Sequence, residues 1–322
     1  MASGRMLAPP RRTTSERMDE ANKNAGSSAP TLGDPKSRDP RPPFGIQPQA
    51  WPRVASGMEP KPDHGDTGYR GSGRLVGRKA LITAGGSGLG RAVAIAYARE
   101  GADVAINYPS TEESDAREVI GLIEAAGRKA VALPGDIRDE DYCTALVVDA
   151  VRELGGLDIV VSNACRQKSY ESISHITSEV LDATMKTNIY APFWILKAAI
   201  PHLRSGATII ATTSEQATDP TSELYDDAMT MAATTNFVRS MSKQLIGKGI
   251  RVNGVAPGPI WTPLQAGGGA RQEKSKRFDG KTPMGRPAQA AALASIYVQL
   301  AVADASDATG RIYGASRAEA LT

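Results

Sequence analysis

The chain predicts an α/β protein built on a doubly wound, Rossmann-type parallel sheet in a single domain. Three observations carry that reading. Short β-branched runs alternate with longer segments of helical spacing, the first run feeds a glycine-rich turn, and the pattern proceeds without an internal repeat.

In order, the strand candidates are KALITA, DVAINY, KAVALPGDI, DIVVSNA, ATIIATTS and RVNGVAPG. They are apolar along their whole length, as expected of strands buried on both faces of a parallel sheet. Helical segments such as GLGRAVAIAYAREG and SEVLDATMKTNIYAPFWILKAAIPHL follow them. Strand, helix, strand in that order means right-handed crossovers. A further long helix, LYDDAMTMAATTNFVRSMSKQL, separates the last two runs.

Residues 1–72 differ in texture. The first 70 hold 11 of the 21 prolines, with 11 Lys+Arg against 8 Asp+Glu. A segment so poor in apolar periodicity cannot offset its ordering entropy alone, so it is expected to be a disordered or docked arm before a domain spanning 73–322. The arm's net charge of +3 equals that of the whole chain, which leaves the domain near neutral. A neutral body offers no electrostatic footprint for nucleic acid or an anionic membrane. The start lacks a secretory apolar segment, no apolar run is long enough to span a bilayer, and two cysteines cannot form a disulfide framework. The expected setting is cytoplasmic. His64, His175 and His202 are scattered without metal-ligand spacing, so no metal is expected.

The first strand enters Thr83-Ala84-Gly85-Gly86-Ser87-Gly88-Leu89-Gly90 and then a helix. Glycines there let the backbone approach a pyrophosphate, and the helix N-terminus supplies free N–H groups and a positive dipole end. Gly85, Ser87, Gly88, Leu89 and Gly90 are thus cofactor-binding candidates. The second strand ends DVAINYPST with no acidic residue for a ribose 2′-hydroxyl, which favours NADP(H) over NAD(H).

With these residues in view, positions 58–314 resemble the short-chain dehydrogenase/reductase family, in its glucose/ribitol-dehydrogenase-like branch. The resemblance is carried by MEPKPDHGDTGYRGSGRL, GDIRDED, GGLDIVVSNA, IRVNGVAPGPIWTP and TPMGR. It implies about seven strands, a nicotinamide cofactor over the C-terminal strand ends, and a homo-oligomer, commonly a tetramer. It also implies that Asp136 and Ile137 flank the adenine, that Asn163 lies in the family's Asn-Asn-Ala-Gly motif, and that Asn188 holds a proton-relay water. Ser214 matches the serine that hydrogen-bonds a substrate carbonyl, and Pro257, Gly258 and Thr262 match the loop over the nicotinamide.

The departures fall on the chemistry. The family's catalytic tyrosine and lysine correspond to Asp227 and Met231, its first turn glycine to Ala84, and its motif glycine to Cys165. The lysine binds the nicotinamide ribose and lowers the tyrosine pKa; a methionine does neither. Tyr225 is about 200° round the helix from position 227 and is expected to face elsewhere. NADP(H) binding is therefore expected to be weakened or absent, and carbonyl reduction impaired.

Asp227 and Met231, at i and i+4, share one helix face. The leading expectation is a redox-neutral enzyme for isomerisation, dehydration or cyclisation of a hydrophobic small molecule. Asp227 is its acid or base, and Ser214 and Asn188 are its orienting groups. Two alternatives stand beside it: an atypical NADP(H)-dependent oxidoreductase, and a non-catalytic binding or tetramer-forming protein. Met231, Arg166, Glu215 and Trp261 are candidate pocket residues. Arg166 would pair with Asp227, Glu215 would be a second acid, and Trp261 would be a wall. Cys165 is expected to be a small buried apolar residue, and Lys168 a solvated loop residue.

Overall fold

The computed structural model describes residues 33–45, 47, 54–264, 282–305 and 307–315. Residues 1–38 form one unit, of which 33–38 are described as a turn closed by Ser37 N donating to Asp34 O. Residues 39–322 form a second, compact unit.

That unit is organised on seven parallel strands: β1 (Lys79–Ile82), β2 (Asp103–Tyr108), β3 (Ala130–Pro134), β4 (Leu157–Ser162), β5 (Leu203–Thr212), β6 (Arg251–Pro257) and β7 (Ile312–Ala315). Their order across the sheet is β3-β2-β1-β4-β5-β6-β7. Each of the six runs named above forms a strand. The seventh is the four-residue IYGA. β1 has β2 on one side and β4 on the other, with Ala80 opposite both Val104 and Ile159. The chain therefore winds outward in both directions from β1, and a crevice opens beyond the C-terminal ends of β1 and β4.

Seven α-helices cover the sheet among the described residues: α1 (Gly88–Arg99), α2 (Glu113–Ala125), α3 (Glu140–Leu154), α4 (Ser178–Met185), α5 (Ala191–Ala199), α6 (Tyr225–Leu245) and α7 (Ala290–Ala301). The first, second and seventh pack on one face around Val93, Tyr97, Val119, Ile123, Leu293 and Tyr297. The third, fifth and sixth pack on the other around Leu146, Val147, Ile195, Leu196, Val238 and Leu245. Burial on both faces explains why the strands read as continuous apolar runs rather than alternating ones. Side-chain burial of this kind stabilises by about 1.5–3 kcal/mol per large aliphatic residue. No helix among the described residues is long and apolar enough to cross a membrane, and none of their His, Cys, Asp and Glu side chains group to hold a metal ion.

Part of the Pro-rich arm is tied to the domain by polar contacts. Asp66 pairs with Arg91 at 2.9 Å, and Ala55 N donates to Asp115 at 3.1 Å. Glu100, buried at the end of α1, accepts from Tyr69 OH (2.7 Å), Ser72 N (2.9 Å) and Arg74 Nε (3.0 Å). Burial opposes ionisation of Glu100, but these hydrogen bonds outweigh it and bring the carboxyl down to about 2. Phe44, Met58 and Trp261 form a separate apolar cluster.

Candidate active site

The site is assembled at the C-terminal strand ends. Thr83, directly after β1, accepts through Oγ1 from Asn163 N (2.9 Å) and Ala164 N (3.0 Å). Asn163 Nδ2 returns a bond to Thr83 O (3.3 Å), and Asn163 Oδ1 accepts from Thr212 Oγ1 (3.1 Å). Three strand ends, β1, β4 and β5, are thereby fixed to one another, which gives the crevice a rigid floor.

The glycine turn follows. Gly90 must lack a side chain, because a Cβ there would lie 2.1 Å from the carbonyl oxygen of Ala84. Ala84 itself holds φ +50°, a left-handed conformation that costs a residue with a Cβ about 1–2 kcal/mol. The turn thus keeps its shape although the sequence departs from glycine at that position. Ser87 is the N-cap of α1, yet its hydroxyl makes no cap bond and donates to Glu112 at 3.1 Å.

A cleft with about 990 Å³ of empty space, its open mouth included, lies over this floor. Of the residues singled out from sequence, it brings together Ser87, Gly88, Leu89, Asn163, Ser214, Asp227, Met231, Pro257, Gly258 and Thr262. Gly85 and Gly90 shape the turn from behind. Asp136 lies outside the cleft, exposed and paired with Arg138 at 2.5 Å, and Ile137 is buried in the core below α3.

Asp227 is 1% exposed, in the first turn of α6. It accepts from Gln167 Nε2 at 2.9 Å, Cys165 Sγ at 3.4 Å and Asn188 Nδ2 at 3.5 Å. Burial raises its carboxyl to about 6, against the pull of the Gln167 and Cys165 hydrogen bonds, and Asp226 next door adds to the rise. Burial also drives the Cys165 thiol well above its usual range, followed by the charge of Asp227, so Cys165 stays protonated and donates. Asn188 sits in a π-helical turn, Lys186–Tyr190, between α4 and α5. Such wide turns recur at functional sites because they re-aim a side chain. Here Asn188 Nδ2 also donates to Thr230 Oγ1 (2.9 Å) and Arg166 O (3.1 Å), and its Oδ1 accepts from Arg166 N (2.8 Å). Ser214 Oγ accepts from Gln216 N at 3.2 Å, and its rotatable hydrogen remains to be aimed into the cleft.

Several expectations are corrected. Trp261 is not a wall of the cleft: it stacks on Phe44 with centroids 4.3 Å apart and donates through Nε1 to Pro60 O at 2.7 Å. Its neighbours Ile260 and Thr262 line the cleft instead. Arg166 does not pair with Asp227, because its backbone is clamped by Asn188 and the carboxylate is met by Cys165 and Gln167. Cys165 is a polar partner in the cleft rather than apolar filling. Glu215 is buried outside the cleft lining. Glu112 went unnoticed in sequence: it follows β2 in a 3-10 turn and puts a carboxylate in the cleft, its pKa raised by burial. Its spacing, 22 positions after Gly90, is the signal that could have found it. A carboxylate at this place bears on the choice between NADP(H) and NAD(H).

Fold and cleft define an α/β protein of the doubly wound class, with its cleft at the C-terminal strand ends. Residues 83–315 match the family model described as enoyl-(acyl carrier protein) reductase. Among similar proteins are the uncharacterized oxidoreductase YhxD of Bacillus subtilis, 49% identical over 84% of this chain and 92% of its own length, and the uncharacterized oxidoreductase YghA of Escherichia coli, 50% identical over 85% and 94%. Glucose and ribitol dehydrogenase of Daucus carota is 38% identical over 79% and 89%. The structure resembles a short chain dehydrogenase from Burkholderia cenocepacia in complex with NADP (30% identity, 75% and 97% of the two chains, TM-score 0.70). It also resembles the 3-ketoacyl-(acyl-carrier-protein) reductase of Brucella melitensis complexed with NADH (27% identity, 74% and 97%, TM-score 0.68). The chain belongs to the short-chain dehydrogenase/reductase family.

The residues present fit a nicotinamide dinucleotide at its phosphate end. The side-chain-free approach at Gly90 and the α1 N-terminus form a cradle for a pyrophosphate. At the reacting end the described lining carries Asp227 and Met231 and neither lysine nor arginine.

Proposed function

We propose that this protein is an oxidoreductase that uses a nicotinamide dinucleotide and meets the reacting atom of its substrate with the carboxyl of Asp227. The observation that carries the reading is the buried carboxyl of Asp227, its pKa raised by burial, facing the same cleft as the glycine turn. The leading expectation, a redox-neutral enzyme, rested on the tyrosine and lysine positions falling on Asp227 and Met231. Relatives described as oxidoreductases and neighbours holding NADP or NADH support hydride chemistry over it.

Ser87, Gly88 and Leu89 would hold the pyrophosphate, and Pro257, Gly258 and Thr262 would close over the nicotinamide half. When bound, that cofactor supplies or accepts a hydride. The chain does the rest. Ser214 orients a polar atom of the substrate, Asp227 stabilises charge at that atom, and Leu89, Met231, Ile260 and Leu264 exclude water from it. Gln167 and Cys165 hold the carboxylate in one orientation, with the Asn188 amide beside it at 3.5 Å. Met231 offers no charged contact to the cofactor. One lost charged hydrogen bond costs about 1.5–3 kcal/mol, which weakens the cofactor by roughly one to two decades without abolishing binding.

Fluorescence titration with NADH and NADPH tests this. Saturable binding at up to millimolar concentration is expected, with Asp227→Asn leaving it intact and lowering turnover; no binding of either dinucleotide contradicts the reading. We also propose a homo-oligomer, supported by exposed Tyr190 and Phe193 beside an apolar hollow lined by Ile189, Trp194 and Phe237. The unpaired thiols of Cys143 and Cys165 suit a reducing, cytoplasmic setting.

A further inference from the structure

We infer that the cleft takes a cationic C=N substrate, an iminium ion, rather than a neutral carbonyl. The inference rests on the hydride-transfer reading above and names the substrate class for it.

The charge inventory comes first. The titratable groups facing the cleft from the described elements are Asp227 on α6, Cys165 after β4 and Glu112 after β2, with no lysine or arginine in the lining. Asp226, beside Asp227, is turned toward α4, where Thr184 Oγ1 donates to it at 3.0 Å, and it adds negative charge behind the site. The three groups that touch Asp227 are a thiol and two amides, all neutral. They orient the carboxylate, and none of the described residues lining the cleft compensates its charge. Two carboxylate oxygens have about four acceptor positions between them. The Cys165 and Asn188 contacts, at 3.4 Å and 3.5 Å, are long, so capacity remains for an N–H or an N-alkyl cation from the substrate.

The chemistry follows from that field. Hydride addition to a neutral carbonyl builds negative charge on oxygen, beside a carboxylate that repels it. Hydride addition to an iminium does the reverse. One C–H bond forms, the C=N π pair becomes the nitrogen lone pair, and the positive charge disappears; the reduced nicotinamide dinucleotide is the electron donor and leaves oxidised. No proton donor is consumed, so the absence of a tyrosine at position 227 carries no penalty. An anion at that position holds the substrate in register, and Met231 in place of a cation leaves that attraction unopposed. Leu89, Met231, Ile260 and Leu264 supply apolar walls for the carbon flanks of a cyclic iminium.

Calorimetry on the cofactor-free protein reads the cation preference directly. Piperidinium and tetrahydropyran have the same ring size and differ in charge. The wild type is expected to bind piperidinium at least tenfold more tightly, and Asp227→Asn, checked for an unchanged circular dichroism spectrum, is expected to erase that preference. Equal binding of the two rings, or a preference that survives in Asp227→Asn, overturns the inference. With cofactor added, 2-methyl-1-pyrroline is expected to be reduced at least a hundredfold faster than 2-methylcyclopentanone; faster reduction of the ketone overturns the inference and leaves the oxidoreductase reading standing. Failure of both dinucleotides to bind removes that reading, while calorimetry still decides the cation site.

Discussion

Gln167 Nε2 lies 2.9 Å from the carboxylate of Asp227, joining the loop after β4 to the first turn of α6. The bond links two residues 60 positions apart. It gives a buried acid a neutral partner that fixes its orientation without cancelling its charge.

Gln167→Leu is therefore expected to raise the apparent pKa of Asp227, since a donor to the ionised form is lost. The check is the pH profile of turnover, whose midpoint near 6 should move upward. A merely structural role would lower activity at every pH without moving the midpoint.

The raised pKa of Asp227 also has a consequence for stability. Between the ordinary value of 3.8 and about 6 the folded protein holds a proton that the unfolded chain has released. Stability contributed by this group is thus full below about pH 4 and falls as pH rises to 6, by up to about 3 kcal/mol. Urea denaturation of the wild type and Asp227→Asn should show their difference shifting in favour of the variant by that amount between pH 4 and 7. A constant difference across that window would contradict it.

Ala84 at φ +50° stores strain in the glycine turn. Ala84→Gly is expected to relieve it and stabilise the protein by about 1 kcal/mol, readable as a rise in Tm. Gly90→Ala is expected to do the opposite, since its Cβ would meet the Ala84 carbonyl at 2.1 Å.

Glu112 bears on the choice of dinucleotide. Its carboxylate accepts from Ser87 at the mouth of the glycine turn, where an added 2′-phosphate would meet a like charge. Glu112→Gln is expected to raise affinity for NADPH more than for NADH, by roughly tenfold in their ratio. Paired fluorescence titrations measure it, and an unchanged ratio would place the ribose elsewhere.

Much of this was legible in the sequence. The strands showed because both faces of the sheet are covered, and the glycine turn showed because its spacing is set by backbone approach. The seventh strand, IYGA, is too short to stand out without the resemblance. That Asp227 and Met231 share one helix face followed from their spacing of four, and that this face looks into the cleft followed from the resemblance. What surrounds that face did not. Cys165, Gln167 and Asn188 come from segments far along the chain, and only the packed fold brings them within reach of one carboxylate. Trp261 was misplaced for the same reason: its partners, Phe44 and Pro60, belong to the arm, whose docking leaves no periodic trace.

Central to the proposal is the ionised carboxylate of Asp227, which is expected to hold a cationic substrate in the cleft. The most direct measurement is kcat/KM against pH for reduction of a permanently charged N-methyl cyclic iminium by the preferred dinucleotide. In the wild type it should rise through pH 6 to a plateau, and in Asp227→Asn it should be low and flat. An Asp227→Asn profile that keeps both the plateau and the midpoint of the wild type would contradict it.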